Sequence, residues 1–354
     1  MDAKAKSRLR RSDALRAGLQ KSNCKGFAML ESQLKPFVVD ETDRQRAVKE
    51  LMGLRPKFGN VEELCGPSAN IAHMYLPPHV LQSLHSIADP DGRVVQVIEN
   101  MPMDIVLPCP PTDGKRPSAK STYVSESALI GPTIAAGFDL MTFAQEKNGA
   151  IPQEVAPVFG LENSNSSASR EDFGAHADNP ILDEKVRVLI ALIGLVNECE
   201  TETYFASLED TLSALPSKTV DLLFQRLYKV RYPESFQMGD DFTKTQPVLY
   251  KAPDGATEVK FAAWNNVGIN REAEDALTAL RNVLPMLLRP IVLKKGTFVL
   301  FSNTRCFHSR GRIEGQRWAQ RIYCCKPDTL ATLQHATGAG PGKRVFDARQ
   351  LVNL

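Results

Sequence analysis

Gly296-Thr297-Phe298-Val299-Leu300-Phe301-Ser302-Asn303 reads as a strand entered from a glycine turn and ended at an asparagine. Arg305 to His308 opens the next strand, Gly311 to Gln316 reads as a loop, and Arg317-Trp318-Ala319-Gln320-Arg321-Ile322-Tyr323-Cys324-Cys325 reads as a third strand. On that third strand Arg317, Ala319, Arg321 and Tyr323 share a face, because side chains alternate with a period of two. Solvated edge-strand charges are the commoner fate of arginine. Here the neighbours Trp318, Ile322, Tyr323, Cys324 and Cys325 are apolar or aromatic, so the strand is expected to be buried. A buried guanidinium needs an anion, and its planar fork suits a carboxylate.

Working outward, the triplet His176-Ala177-Asp178 places two potential ligands at i and i+2, on one face of a strand. His308 can join them only if the fold brings its strand alongside. Two imidazoles and a carboxylate on one side of an Fe(II) ion leave positions for a chelating co-substrate and for O2. A lone His-x-Asp carries little, and a half-buried strand histidine is commoner than a ligand. The ordered set decides: His176, Asp178, His308, then Arg317 and Arg321. It predicts Fe(II), 2-oxoglutarate and O2 as the reactants at the site.

The order His-x-Asp, His, Arg-x-x-x-Arg resembles the clavaminate synthase-like branch of the taurine dioxygenase superfamily. The stretch Glu162-Asn163-Ser164-Asn165-Ser166-Ser167-Ala168-Ser169 is similar to the serine-rich segment of its amino acid hydroxylases, and Thr203-Tyr204-Phe205-Ala206-Ser207 resembles their threonine-aromatic-Ala-Ser stretch. By eye the resemblance spans roughly residues 90 to 327. It implies His176, Asp178 and His308 as iron ligands and Arg317, supported by Thr203, as partner of the distal carboxylate of 2-oxoglutarate. Arg321 would bind the substrate carboxylate. The loop between His308 and Arg317 is shorter than is usual there, which leaves the roles of the two arginines exchangeable and Arg312 a third candidate. Asp178 is not a small residue, which disfavours a halide-binding variant. The branch further implies an α-amino acid substrate, free or on a carrier protein, with Gln145, Glu146 and the serines around Ser166 as candidates for the α-amino group.

The chain has 354 residues, 43% hydrophobic and 24% charged, with a net charge of +2. These are ordinary globular values, and the charge is too small to argue for nucleic acid or an anionic membrane as principal partner. Seven cysteines without a small-domain framework fit a reducing, cytoplasmic setting. The longest apolar run, Val188 to Val196, is nine residues and reads as a core strand, not a membrane span. Residues 1–25 hold eight Lys/Arg against Asp2 and Asp13. That balance favours a solvated helix or disordered tail over a targeting or anion-binding arm.

Helical periodicity marks Asp40 to Leu54, Pro78 to Ile87, Ser125 to Ala136, Ser217 to Lys229 with Ser217 as N-cap, and Asn270 to Leu284. Gly92 to Leu107 looks strand-rich. The expected fold is α+β: a double-stranded β-helix, a cupin-like jelly roll, with flanking helices, forming one domain over 26–354. A polar, turn-rich insert at about 231–268 is the expected lid. Its pair Asp240-Asp241 could meet a cationic side chain, or be a plain solvated turn. The reading is therefore a hydroxylase of a free basic L-amino acid. Alternatives are a desaturase, a hydroxylase of a carrier-bound or non-basic amino acid, a hydrolytic zinc enzyme with the same ligands, and a non-catalytic cupin-like binding protein. A homodimer is left open.

Overall fold

The computed structural model describes residues 24–354, apart from 58–59, 165, 234–237, 239–240 and 353. Residues 1–23, most of the basic N-terminal arm, lie outside the described residues, as does Asp240. The strands are β1 Phe37–Val38, β2 Val95–Glu99, β3 Asp139–Phe143, β4 Gln153–Val155, β5 Phe173–His176, β6 Leu189–Asn197, β7 Glu202–Ser207 and β8 Tyr228–Val230. They continue with β9 Leu249–Lys251, β10 Thr257–Val259, β11 Asn266–Gly268, β12 Arg289–Val292, β13 Phe298–Ser302, β14 Cys306–Arg310, β15 Arg317–Cys325 and β16 Val345–Phe346. The α-helices are α1 Cys24–Leu34, α2 Glu41–Leu51, α3 Cys65–Tyr75, α4 Pro78–His85, α5 Val124–Ala135, α6 Leu208–Ser213, α7 Ser217–Leu223, α8 Arg271–Leu287 and α9 Pro327–Ala336.

Two sheets make the jelly roll. The larger runs β1-β2-β13-β6-β15-β3-β16 with β4 paired to β15, and the smaller runs β12-β7-β14-β5. Their inner faces meet where Phe205 of β7 packs edge-on to Phe301 of β13, ring centroids 5.1 Å apart. Val299, Ile190, Tyr323 and Phe143 continue that apolar layer. Its other face is covered by α3, α4 and α5, whose Ala72, Leu84 and Leu129 pack with Ile193, Leu300 and Trp318. β6 and β15 therefore lie between two apolar layers, which explains why their sequences lack a polar alternation. Gly194 of β6 is required: a Cβ there would lie 2.3 Å from the Lys294 carbonyl oxygen. Gly296, at φ +79°, makes the turn into β13.

Helix placement follows caps and burial. Asp40 caps α2 through the amides of Thr42 and Asp43. Asn270 caps α8 through Ala273, Glu272 and Glu274 occupy its first turn, and Ala273, Ala276, Leu277, Leu280, Val283, Leu284 and Leu287 form its buried stripe. Burial of that last leucine carries α8 through Pro285, three residues beyond the expected end. The stretch expected as a helix from Ser217 to Lys229 instead stops at Leu223, and Tyr228–Val230 pairs with β11. Ser217 makes no cap; Pro216 takes that position and has no side-chain hydrogen bond to offer. Between Gly92 and Leu107 only β2 is extended. The insert at 231–268 holds β9, β10 and β11 among its described residues.

Candidate active site

β14 pairs antiparallel with β5 so that His308 stands directly opposite His176, ring centroids 4.1 Å apart. Asp178 follows β5 by two residues, and ligand atoms of all three lie within 4.8 Å of one another. His176 Nδ1 donates to the Gly174 carbonyl at 2.8 Å, which turns Nε2 toward Asp178. That Nε2 lies 3.0 Å from Asp178 Oδ1, and His308 Nε2 lies 3.4 Å from the same oxygen. Burial, and then the neighbouring His176, push the His308 imidazole down to about 4, so it is neutral at pH 7. Burial works to raise the Asp178 carboxyl, but Arg321 and the two histidines outweigh it and hold it well below the usual range. Two imidazole nitrogens and a carboxylate oxygen that converge at these distances can close on a shared cation, and the donor set suits Fe(II).

Beside this triad lies a cationic recess. Arg310, two residues past His308, stands opposite Thr203 of β7. The Arg317 Nη2 donates to Thr203 Oγ1 at 3.2 Å. Arg317 is 5% exposed, and its Nε has no hydrogen-bond partner. Among the described residues Arg310 donates to the carbonyls of Ser169 and Glu171, at 2.7 and 2.8 Å, and its Nε meets no partner. Burial, and then the charge of Arg310, push the Arg317 guanidinium down to about 9; burial pushes Arg310 down to about 10. Two buried guanidiniums with no hydrogen bond to a carboxylate among the described residues, beside the triad, suit an anion.

Arg321 departs from the sequence-based expectation of a free receptor for the substrate carboxylate. Its Nη1 donates to Asp178 Oδ2 at 2.7 Å, its Nη2 to Glu146 Oε2 at 2.6 Å, and its Nε to Gln153 Oε1 at 3.0 Å. Tyr323 donates to Asp178 Oδ2 at 2.7 Å and lies under the guanidinium, 4.7 Å from its carbon. Burial opposes the charge on Arg321, yet Tyr323, Glu146 and Asp178 together hold its pKa above the ordinary value. The arginine thus joins Asp178 to Glu146. Alternation on β15 placed Arg321 and Tyr323 on one face in the sequence; nothing in it announced Gln153, which arrives by pairing of β4 with β15.

A cavity of about 750 Å³ opens onto His176 and Asp178. It is lined by Glu146, Ser166, Arg321, Phe173, Trp264 and Arg231 among others. Ser166 Oγ lies 2.8 Å from Ser164 Oγ and accepts from the Ala168 amide, so the serine-rich stretch is a built loop at the cavity wall. Asp241 is exposed and is not among the described residues lining this cavity; Arg312 is exposed and pairs with Glu171 at 3.7 Å, outside it. Asn303, missed as a site residue, donates to the Asp178 carbonyl and accepts from its amide. Its only sequence signal was its place at the end of a strand.

Triad, cationic recess and cavity define an iron- and 2-oxoglutarate-dependent dioxygenase. Residues 135–323 match the taurine catabolism dioxygenase TauD, TfdA family, which is more than half of the chain, and the chain belongs to that family. It is 27% identical over 243 residues to the L-asparagine oxygenase of Streptomyces coelicolor (strain ATCC BAA-471 / A3(2) / M145), covering 66% of this chain and 71% of that one. Among solved structures, asparagine oxygenase in complex with Fe(II), 2S,3S-3-hydroxyasparagine and succinate superimposes with a TM-score of 0.72 at 22% identity, covering 88% of this chain and 99% of the other. A variant of the non-heme iron oxygenase OrfP in complex with (3S)-hydroxy-L-Arg gives 0.74 at 19% identity, covering the same shares. No described helix is long and apolar enough to cross a membrane.

Proposed function

We propose that this dioxygenase hydroxylates an unactivated C–H bond of an amino acid, with His176, Asp178 and His308 holding Fe(II). The observation that carries the reading is the buried Arg317 with its unpartnered Nε, set beside that triad. Arg317 and Thr203 would receive the distal carboxylate of 2-oxoglutarate. Bound iron and 2-oxoglutarate supply the oxidation: one oxygen atom of O2 enters the substrate, and the other leaves in succinate as CO2 is released. The chain positions and shields. Phe173 and Trp264 pack against His176, ring centroids 4.4 and 5.1 Å away, and keep water from that flank of the site. Glu146 faces the cavity as a carboxylate for the α-amino group, and Arg321 orients both Glu146 and Asp178.

For the side chain, a free basic L-amino acid is the reading that rests on Asp240-Asp241 of the lid and on the hydroxyarginine named for OrfP. A second reading, a neutral amide side chain, is favoured by the sequence match to L-asparagine oxygenase and by the cavity itself. Among its described lining residues the acids Glu146 and Asp178 are both bound by Arg321, while Arg231 and Lys147 are cations. A screen of free and carrier-bound amino acids with Fe(II), 2-oxoglutarate and O2, read by mass spectrometry, separates the readings. A product gaining one oxygen is expected; loss of two hydrogens marks a desaturase. Release of succinate without change in any amino acid would overturn the substrate class.

A further inference from the structure

The serine-rich loop is closed on itself and then fastened to the metal-bearing strand. The Arg170 amide donates to the Glu162 carbonyl at 2.7 Å, and Ser169 Oγ donates to the same carbonyl at 2.9 Å. At the base of that loop the Arg310 guanidinium spans two carbonyls, those of Ser169 and Glu171. The Ile313 amide adds a bond to the Arg170 carbonyl at 2.8 Å, and Arg170 Nη1 reaches the Gly315 carbonyl at 3.0 Å. Ser164, Ser166 and Ser167 of the loop line the substrate cavity.

The same Arg310 belongs to the anion recess. It follows His308 on β14, it stands opposite the Thr203 that binds Arg317, and its Nε is buried without a partner. Two backbone carbonyls satisfy part of its fork without bringing charge, and the Asp172 carboxylate acts on it from a distance, with no hydrogen bond between them. An anion drawn in by Arg317 settles the charge of both arginines, and the carbonyls held by Arg310 are the ends of the loop that faces the substrate.

We propose that Arg310 is a positioning residue that couples the 2-oxoglutarate recess to the serine-rich loop, so that co-substrate binding orders the wall against which the amino acid is held. The proposal rests on the reading that Arg317 receives 2-oxoglutarate. No role for Arg310 was legible in the spacing of ligands and arginines.

The test is hydrogen–deuterium exchange over Glu162 to Glu171 in the iron-loaded protein without O2, with and without 2-oxoglutarate, alongside calorimetry of 2-oxoglutarate binding. In the wild type the co-substrate is expected to slow exchange in this loop. In Arg310→Met the loop exchanges fast with or without it, and co-substrate affinity falls about tenfold, the scale of one hydrogen bond to a charged group. Arg310→Lys keeps the charge but not the fork, so it recovers affinity and leaves the loop unprotected. Should the Met variant not fold, the Lys variant carries the test. Loop protection that ignores 2-oxoglutarate in the wild type, or that survives with its response intact in either variant, overturns the proposal. Arg317→Met separates the two ideas: undiminished 2-oxoglutarate binding there removes the reading of the recess, whatever Arg310 does.

Discussion

Asn303 and Asp178 exchange two hydrogen bonds across 125 residues of chain: the Asp178 amide donates to Asn303 Oδ1 at 2.7 Å, and Asn303 Nδ2 donates to the Asp178 carbonyl at 3.0 Å. Asp178, proposed as an iron ligand, lies just past the end of β5, outside the strand ladder, and this side chain holds its backbone instead. Asn303→Ala is expected to weaken iron binding by about 10- to 100-fold, as loss of a supporting partner does at metal sites. Titration with Fe(II) under anaerobic conditions reads it. Unchanged affinity would show that the arginine and tyrosine bonds suffice to orient Asp178.

Arg317→Met is expected to raise the 2-oxoglutarate requirement at least about 30-fold, from the loss of about 2–5 kcal/mol in a desolvated charge pair. Turnover at saturating 2-oxoglutarate should change much less. Steady-state kinetics with the co-substrate varied measures both. An effect confined to the amino acid would exchange the roles of the two arginines.

Because Arg321 binds Asp178 and Glu146 together, Arg321→Met should lower iron retention as well as raise the KM for the amino acid. Metal analysis of the purified variant, beside its kinetics, distinguishes this from a residue that serves the substrate alone. Full iron content with a raised KM would assign Arg321 only to the substrate.

Lys260 gives a pH-dependent prediction away from the site. Burial, against the weaker pull of Glu184 and Asp183, pushes its amine down to about 8 in the folded chain. Between that value and the ordinary lysine pKa near 10.4 the unfolded state binds more protons, so stability rises with pH through this window. Below pH 8 the full penalty is present, up to about 3 kcal/mol. Lys260→Met should therefore raise the melting temperature at pH 7, with a gain that shrinks as pH climbs toward 10. Calorimetry across that range checks the sign, and a gain independent of pH would contradict it.

What the sequence revealed followed from periodicity and from chemical type. The apolar continuity of β6 and the apolar neighbours of the arginines on β15 announced buried strands, and His176, Asp178 and His308 announced one another by spacing and order. The partners of those residues were a different matter. Gln153 meets Arg321 because β4 aligns with β15, and Arg310 meets Ser169 because a loop closes; both depend on register, which composition does not encode. The commitment of Arg321 to Asp178 and Glu146 was hidden for the same reason: a strand pattern gives the face of an arginine but not what stands across from it. Helix ends failed locally. Ser217 looked like a cap, yet a hydroxyl caps only if its chain leaves the helix at that residue, and here Pro216 does.

The buried guanidinium of Arg317, whose Nε meets no partner among the described residues, has a thermodynamic consequence for the resting protein. A charge held out of water with no counter-ion is a debit against the folded state, and a ligand that binds only the folded chain offsets it by mass action. At a co-substrate concentration a hundred times its dissociation constant the gain is about 2.7 kcal/mol, a large share of the margin that separates a typical folded domain from its unfolded ensemble. On the role proposed for Arg317, the lifetime of this chain against unfolding and proteolysis is tied to the supply of the same dicarboxylate that its chemistry consumes.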